Sequence, residues 1–203
     1  MSIFLIRHGE TDGNAQRVLQ RPETPLSARG LAQADLLAAR LADEPISLIL
    51  TSDYARAHAT AEKLAAATGA PLQVEETLRE RNFGELRGRP YSEVGDIFAD
   101  GFSPPGGESW ERFFERADRS WERVLAALST AQQHVAVVTH GLICYAYALR
   151  QFASPVDEPV SRGFGNTSLT IADATPPYEV KLLNCCAHLD AATAHDQRSV
   201  SGI

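Results

Sequence analysis

Two apolar runs in this chain end in the same way. Residues 2–7 read SIFLIR and lead straight into His8 and Gly9, and residues 134–141 read HVAVVTHG, ending in His140 and Gly141. Neither run alternates apolar with polar residues, and both are rich in β-formers, as expected of strands buried on both faces. A third run of this kind, ISLILTS at 46–52, lies between them. Strands covered on both faces require helices above and below. The intervening segments supply them.

Residues 26–44 place Leu31, Ala34, Ala38 and Leu41 at helical spacing behind a capping Ser27. Residues 53–69 form a second helix closed by Gly69, residues 109–129 a long amphipathic one, and 142–152 a buried one. A short strand is expected at 71–76. Two more, at 166–173 and 178–186, would pair across the turn at Pro176-Pro177. This alternation predicts an α/β three-layer sandwich, with a mostly parallel central sheet and helices on both faces. The 203 residues contain no repeat or linker, so one domain is expected over 1–190, with a loose tail over 191–203. The irregular stretch 77–107 is longer than plain connections usually are, and reads as a lid or pocket wall.

In an open parallel sheet, ligands bind at the carboxyl ends of the strands. Arg7, His8 and Gly9 leave the first strand there, and Thr139, His140 and Gly141 leave a later one at the same edge. Two histidines and an arginine would then share a crevice, with the glycines letting backbone and ligand approach closely. Imidazole is a good nucleophile near neutral pH, and arginine offers the fork that phosphoryl oxygens need. His58, His134, His188 and His195 read as structural or exposed.

Net charge is −7 with no basic block, which argues against nucleic acid and anionic membrane surfaces. No run approaches the roughly 20 apolar residues of a membrane span, and no secretory signal is evident. A cytoplasmic protein is the expectation. Cys144, Cys185 and Cys186 read as reduced structural residues, with no zinc-like spacing among Cys and His. GFGNTS at 163–168 precedes a strand rather than opening a helix, so it is rejected as a nucleotide loop.

The stretch LIRHGETDGN at 5–14 resembles the signature of the histidine phosphatase superfamily, which includes cofactor-dependent phosphoglycerate mutases and many small phosphatases. Similar stretches follow in the family's order: TPLSARGLAQA at 24–34, SDYARAHATAE at 52–62, LRERNFGELRG at 78–88, PPGGES at 104–109 and VTHG at 138–141. The resemblance implies His8 as nucleophile, with Arg7, Arg56 and His140 holding phosphoryl oxygens and Asn14 assisting as a neutral donor. Glu80 falls on the family's proton donor, and Gln20 on a pocket position. The implied reaction is two in-line transfers through phosphohistidine on a small phosphorylated metabolite, with no metal and no cofactor. One segment departs from the pattern. In QRPETPL the family's glycine position holds Arg21, Glu23 stands near its aspartate, and one residue is missing.

Phosphatases and mutases of this kind differ in how the pocket treats a second charged group. No Lys or Arg lies between Arg89 and Arg112, where Glu93, Asp96, Asp100 and Glu108 do, and Gly13 takes the place of a mutase tryptophan. Phe98, Phe102 and Trp110 are expected to make this wall partly apolar. The reading favoured is a phosphomonoesterase. A phosphoglycerate mutase and a non-catalytic phospho-ligand binder are the alternatives. The sequence does not address oligomeric state.

Overall fold

The computed structural model describes residues 1–99, 101–153, 163–190 and 193. Its centre is a six-stranded sheet in the order β3-β2-β4-β1-β5-β6. The strands are β1 (Ser2–Arg7), β2 (Ile46–Thr51), β3 (Leu72–Val74), β4 (His134–Thr139), β5 (Leu169–Asp173) and β6 (Val180–Cys185). The first four are mutually parallel; β5 and β6 add antiparallel at one edge.

The helices are α1 (Asp12–Ala15), α2 (Ala28–Arg40), α3 (Ala55–Thr68), α4 (Trp110–Thr130) and α5 (Gly141–Arg150). Side chains alternate across each strand, so the sheet has two apolar faces. Phe4, Ile6, Ile49, Ala136 and Val138 pack with Leu37, Leu41, Ala61 and Leu64 of the α2–α3 side. Ile3, Leu5, Val135 and Val137 pack with Phe113, Val124, Ile143 and Tyr147 of α4 and α5. Each such fully buried side chain contributes about 1.5–3 kcal/mol, and the three-layer arrangement follows.

The expected cap at Ser27 is present, its hydroxyl accepting from Gly30 N at 3.0 Å. Gly69 closes α3 at φ 72°, as the sequence predicted. The face of α2 buries Ala34, Ala38 and Leu41 as expected and differs at one position. Leu31 is 42% exposed, and the buried residues are Gly30, Gln33, Ala34, Leu37 and Ala38. A stripe through 30, 34, 37 and 41 fits the helical period as well as one through 31. Gly30 decides between them, because a Cβ there would stand 1.9 Å from Glu10 O.

Gly9 permits the close backbone approach expected of it: its would-be Cβ lies 2.5 Å from Gly30 O of α2. The tail expected from Ala191, including His195, lies outside the described residues apart from Thr193, whose carbonyl accepts from Gln33 Nε2 at 2.9 Å. Among the described residues, no helix is long and apolar enough to cross a membrane.

Candidate active site

The register of the sheet brings the two histidines together. Arg7 pairs with Thr139 across β1 and β4, so His8 and His140 leave the sheet side by side, with His8 N donating to Thr139 O at 2.9 Å. Their ring centroids are 5.2 Å apart at 62°. Arg7, His8, Arg56 and His140 are all at most 2% exposed.

The loop after His8 is tied to both helices on its face. Gly9 N donates to Thr60 Oγ1 of α3 at 3.1 Å, and Glu10 N to Gln33 Oε1 of α2 at 2.8 Å. Glu10 also accepts from Ser27 Oγ at the start of α2. None of these tethers was legible as such in the sequence.

Hydrogen bonds fix the tautomer of His8. Its Nδ1 faces the carbonyl of Gly9 at 2.7 Å, an atom that only accepts, so Nδ1 carries the proton. Nε2 is therefore the lone-pair nitrogen, and Arg56 Nε donates to it at 3.2 Å. The same guanidinium donates to Arg21 O through Nη1 at 3.0 Å. Burial lowers Arg56 to about 10, opposed chiefly by Glu80; it remains a cation at neutral pH. Arg7 is likewise lowered by burial, donates to Phe164 O, and has a buried Nε without a partner among the described residues.

Glu80 sits opposite these cations. Arg81 N donates to its Oε1 at 2.9 Å, and Leu142 N, in the first turn of α5, to its Oε2 at 3.3 Å. Those bonds, with Arg56 and Arg7, favour the carboxylate, but burial outweighs them and the pKa is raised. A carboxyl raised in this way is suited to hold a proton for delivery.

Asn14 caps its own helix with Thr11. Its Oδ1 accepts from Thr11 N, Thr11 Oγ1 and Asn166 Nδ2, so the amide's donor end is the part left for the cavity. Thr11 Oγ1 also reaches Gln20 Oε1 at 2.8 Å.

Arg7, His8, Asn14, Gln20, Arg56 and Glu80 all line one cavity, which encloses about 510 Å³, part of it open to solvent. His140, the remaining sequence candidate, lies behind His8 instead of in the lining. Its Nε2 contacts Ser52 Oγ at 2.9 Å, and its Nδ1 is buried without a partner among the described residues. Burial, then Arg56 and His8, push its pKa well below 6.5, so the resting ring is neutral.

The rest of the lining comes from Leu19, Tyr54, Arg81, Phe83, Arg87, Tyr91, Ile97 and Leu142. The sequence reading did not single out Tyr54, Arg81, Arg87 or Tyr91. It expected Phe98, Phe102 and Trp110 in the wall; these stand behind it. Arg81 intervenes, lying 4.0 Å from the Trp110 ring centroid and 5.5 Å from that of Phe102. Its guanidinium donates to the carbonyls of Ile97, Phe102 and Glu108, stapling the 77–107 segment shut over the cavity. Arg116 does the same from α4, bonding the Glu108 carboxylate and the carbonyls of Thr77, Arg79 and Glu80.

The stretch 163–168, set aside in sequence as a nucleotide loop, instead backs the site. Asn166 Nδ2 donates to His8 O at 2.9 Å. Of the other histidines, His134 accepts from Ser2 N, His58 pairs with Glu62, and His188 contacts Arg40 and Thr167. All three cysteines are free thiols. Among the described residues, no three His, Cys, Asp or Glu side chains form a group that could hold a metal ion.

A largely parallel, doubly covered sheet thus carries a histidine, two arginines and a carboxyl at its carboxyl edge, the fold and residue set that the histidine phosphatase resemblance implies. The sequence profile of the histidine phosphatase superfamily (branch 1) matches residues 3–184, and the chain belongs to that superfamily. It is 34% identical over 154 residues to phosphoglycerate mutase-like protein 4 of Arabidopsis thaliana, covering 68% of this chain and 66% of that one. It is 43% identical over 91 residues to a probable phosphoglycerate mutase of Yersinia enterocolitica, covering 44% and 42%. The chain thus spans slightly under two thirds of the first relative and well under half of the second. Among solved structures, a mycobacterial glucosyl-3-phosphoglycerate phosphatase in complex with VO3 aligns with a TM-score of 0.68 and 30% identity, over 85% of this chain and 90% of that one.

Proposed function

We infer that this chain is a phosphomonoesterase acting on a small phosphorylated metabolite through a phosphohistidine on His8, with no metal. The observation carrying this reading is the orientation of His8, whose Nδ1–H is spent on Gly9 O while Nε2 receives Arg56.

In the first step Nε2 attacks phosphorus in line, the ester P–O bond breaks, and Glu80 gives its proton to the departing oxygen. Arg7 and Arg56 hold the equatorial oxygens as charge spreads onto them, and Asn14 adds a neutral donor. In the second step Glu80, now a carboxylate, takes a proton from water as the water oxygen attacks phosphorus. The N–P bond breaks, leaving free phosphate and the starting His8. His140 supports the reacting ring from behind; an arriving dianion would raise its pKa and favour a protonated form. We read residues 1–190 as the unit that carries this activity.

Hydrolysis is favoured over mutase chemistry because the described part of segment 90–108 brings Tyr91 and Ile97 but no basic side chain to the cavity, and its charged residues, Glu93, Asp96 and Glu108, are all acidic. The relatives named as mutases keep that alternative in play. Both readings are tested by incubating the chain with alkyl phosphates and with phosphoglycerates in EDTA. Net phosphate release in chelator supports the esterase. Interconversion of 2- and 3-phosphoglycerate without phosphate release supports the mutase, and activity that needs added metal contradicts both.

A further inference from the structure

The turn behind His8 is braced more firmly than a plain connection needs. In the antiparallel register of β1 and β5, Ile6 stands opposite Leu169, which sets residue 167 opposite residue 8 just beyond the strand ends. Thr167 N accordingly donates to His8 O at 3.2 Å, and Arg7 N to Ser168 O at 3.3 Å. Thr167 holds φ 52°, a left-handed conformation that strains a β-branched residue. Asn184 of β6 braces the turn from behind, its Oδ1 accepting from Gly165 N at 2.9 Å and its Nδ2 donating to Gly163 O at 2.8 Å. Strain held in place by its surroundings points to a functional position. What this turn aims is the side chain of Asn166.

Asn166 is fully buried. Its Nδ2 donates to His8 O at 2.9 Å and to Asn14 Oδ1 at 3.3 Å, so both hydrogens of one nitrogen are used. Turning the amide over would set its oxygen against those two acceptors, which fixes the orientation. Its Oδ1 is left buried without a partner among the described residues. An orphaned acceptor costs stability, so packing alone does not account for an asparagine here. The two Nδ2 bonds do. One holds the backbone of His8, whose N is already bonded to Thr139 O. The other occupies Asn14 Oδ1 together with Thr11 N, and leaves the Asn14 NH2 as the end facing the cavity.

Resting on the phosphoryl-transfer reading of His8 and Asn14, we propose that Asn166 is a positioning residue for the reaction. It ties His8 and Asn14 to one nitrogen, so that the Asn14 donor meets an equatorial oxygen of the phosphoryl group on His8 Nε2. Asn166 is not among the residues lining the cavity and acts only through these two. Charge on the equatorial oxygens grows as the P–O bond breaks, so a well-aimed donor favours the transition state over the bound ester. A misplacement of about 1 Å in such a constellation costs on the order of 10² in rate.

The test is a double-substitution cycle on Asn166→Ala and Asn14→Ala, read as calorimetric Kd for vanadate and for phosphate. Vanadate takes up the five-coordinate geometry of transfer, whereas phosphate stays tetrahedral. Asn166→Ala should weaken vanadate about tenfold or more and phosphate by about threefold or less. In the Asn14→Ala background the same substitution should cost vanadate about threefold or less, because the donor it aims is gone. An equal vanadate loss with and without Asn14 would overturn the proposal, as would an unchanged vanadate affinity in Asn166→Ala or a loss shared equally by phosphate. If Asn166→Ala does not fold, ¹⁵N spectra of the wild type decide. Vanadate should shift the Asn14 side-chain NH2 while the Asn166 NH2 stays protected from exchange; an unmoved Asn14 signal or a rapidly exchanging Asn166 NH2 would overturn the proposal. Phosphate release from an alkyl phosphate is followed in parallel. Its absence in the wild type with the vanadate cycle as expected would refute the esterase reading and leave the positioning role standing.

Discussion

Glu80→Gln separates proton delivery from positioning. In the wild type both carboxyl oxygens accept backbone N–H bonds, from Arg81 and from Leu142. Glutamine keeps one acceptor and turns an NH2 toward the other N–H, losing one neutral hydrogen bond worth about 0.5–1.5 kcal/mol. At this chain length that corresponds to a fall in Tm of roughly 1–6 °C. The chemical loss is larger. General acid catalysis contributes about 10² to 10⁴ in rate, or roughly 3–5.5 kcal/mol. It is needed most for a poor leaving group such as an alkoxide, whereas p-nitrophenolate departs readily without a proton.

Rapid-quench measurement of phosphoenzyme formation should therefore show a loss of about 10² or more for an alkyl phosphate and far less for p-nitrophenyl phosphate. The pH dependence has a determined sign. The acid form of Glu80 is depleted as pH rises through its raised pKa, so the alkyl phosphate rate should fall on that alkaline limb. In Glu80→Gln the limb should be absent. Equal losses on both substrates in the first step would refute the assignment, and Glu23 or Glu85 would be examined next.

Gly30→Ala places a Cβ 1.9 Å from Glu10 O, so the loop behind His8 must shift, at a cost of about 1–3 kcal/mol. Both Tm and phosphate affinity should fall, and an unchanged pair of values would show that this contact is not tight. His140 is held well below 6.5 in the folded chain, so below that pH the unfolded chain binds a proton that the folded one refuses. Its contribution to stability is complete above 6.5 and is lost as pH falls through its folded pKa, with His188, held at about 4, acting in the same sense. Thermal melts taken downward from neutral pH should therefore decline less steeply in His140→Gln than in wild type; identical slopes would remove His140 as a source.

What could be read from sequence was what local pattern determines. Unbroken apolar runs ending in His8 and His140 located β1, β4 and the edge they share, and six of the seven candidate side chains line one cavity. The α2 stripe held at Ala34, Ala38 and Leu41 and failed at Leu31, because the helical period fits Leu31 as well as Gly30 and only contact with Glu10 chooses. The sequence reading singled out neither Arg81 nor Arg116. Their use as staples depends on carbonyls that the folded chain alone brings together, and the same staples put Phe98, Phe102 and Trp110 behind the wall. Tyr54, Arg87 and Asn166 likewise acquire their places from long-range packing.

The central claim is a covalent bond between phosphorus and His8 Nε2. Wild type incubated with a ³²P-labelled phosphomonoester, quenched and mapped under alkaline conditions that preserve phosphohistidine, should carry label on the peptide containing His8. The label should be acid-labile and absent from His8→Ala. Label on a serine, aspartate or cysteine, or turnover retained in His8→Ala, would contradict the account.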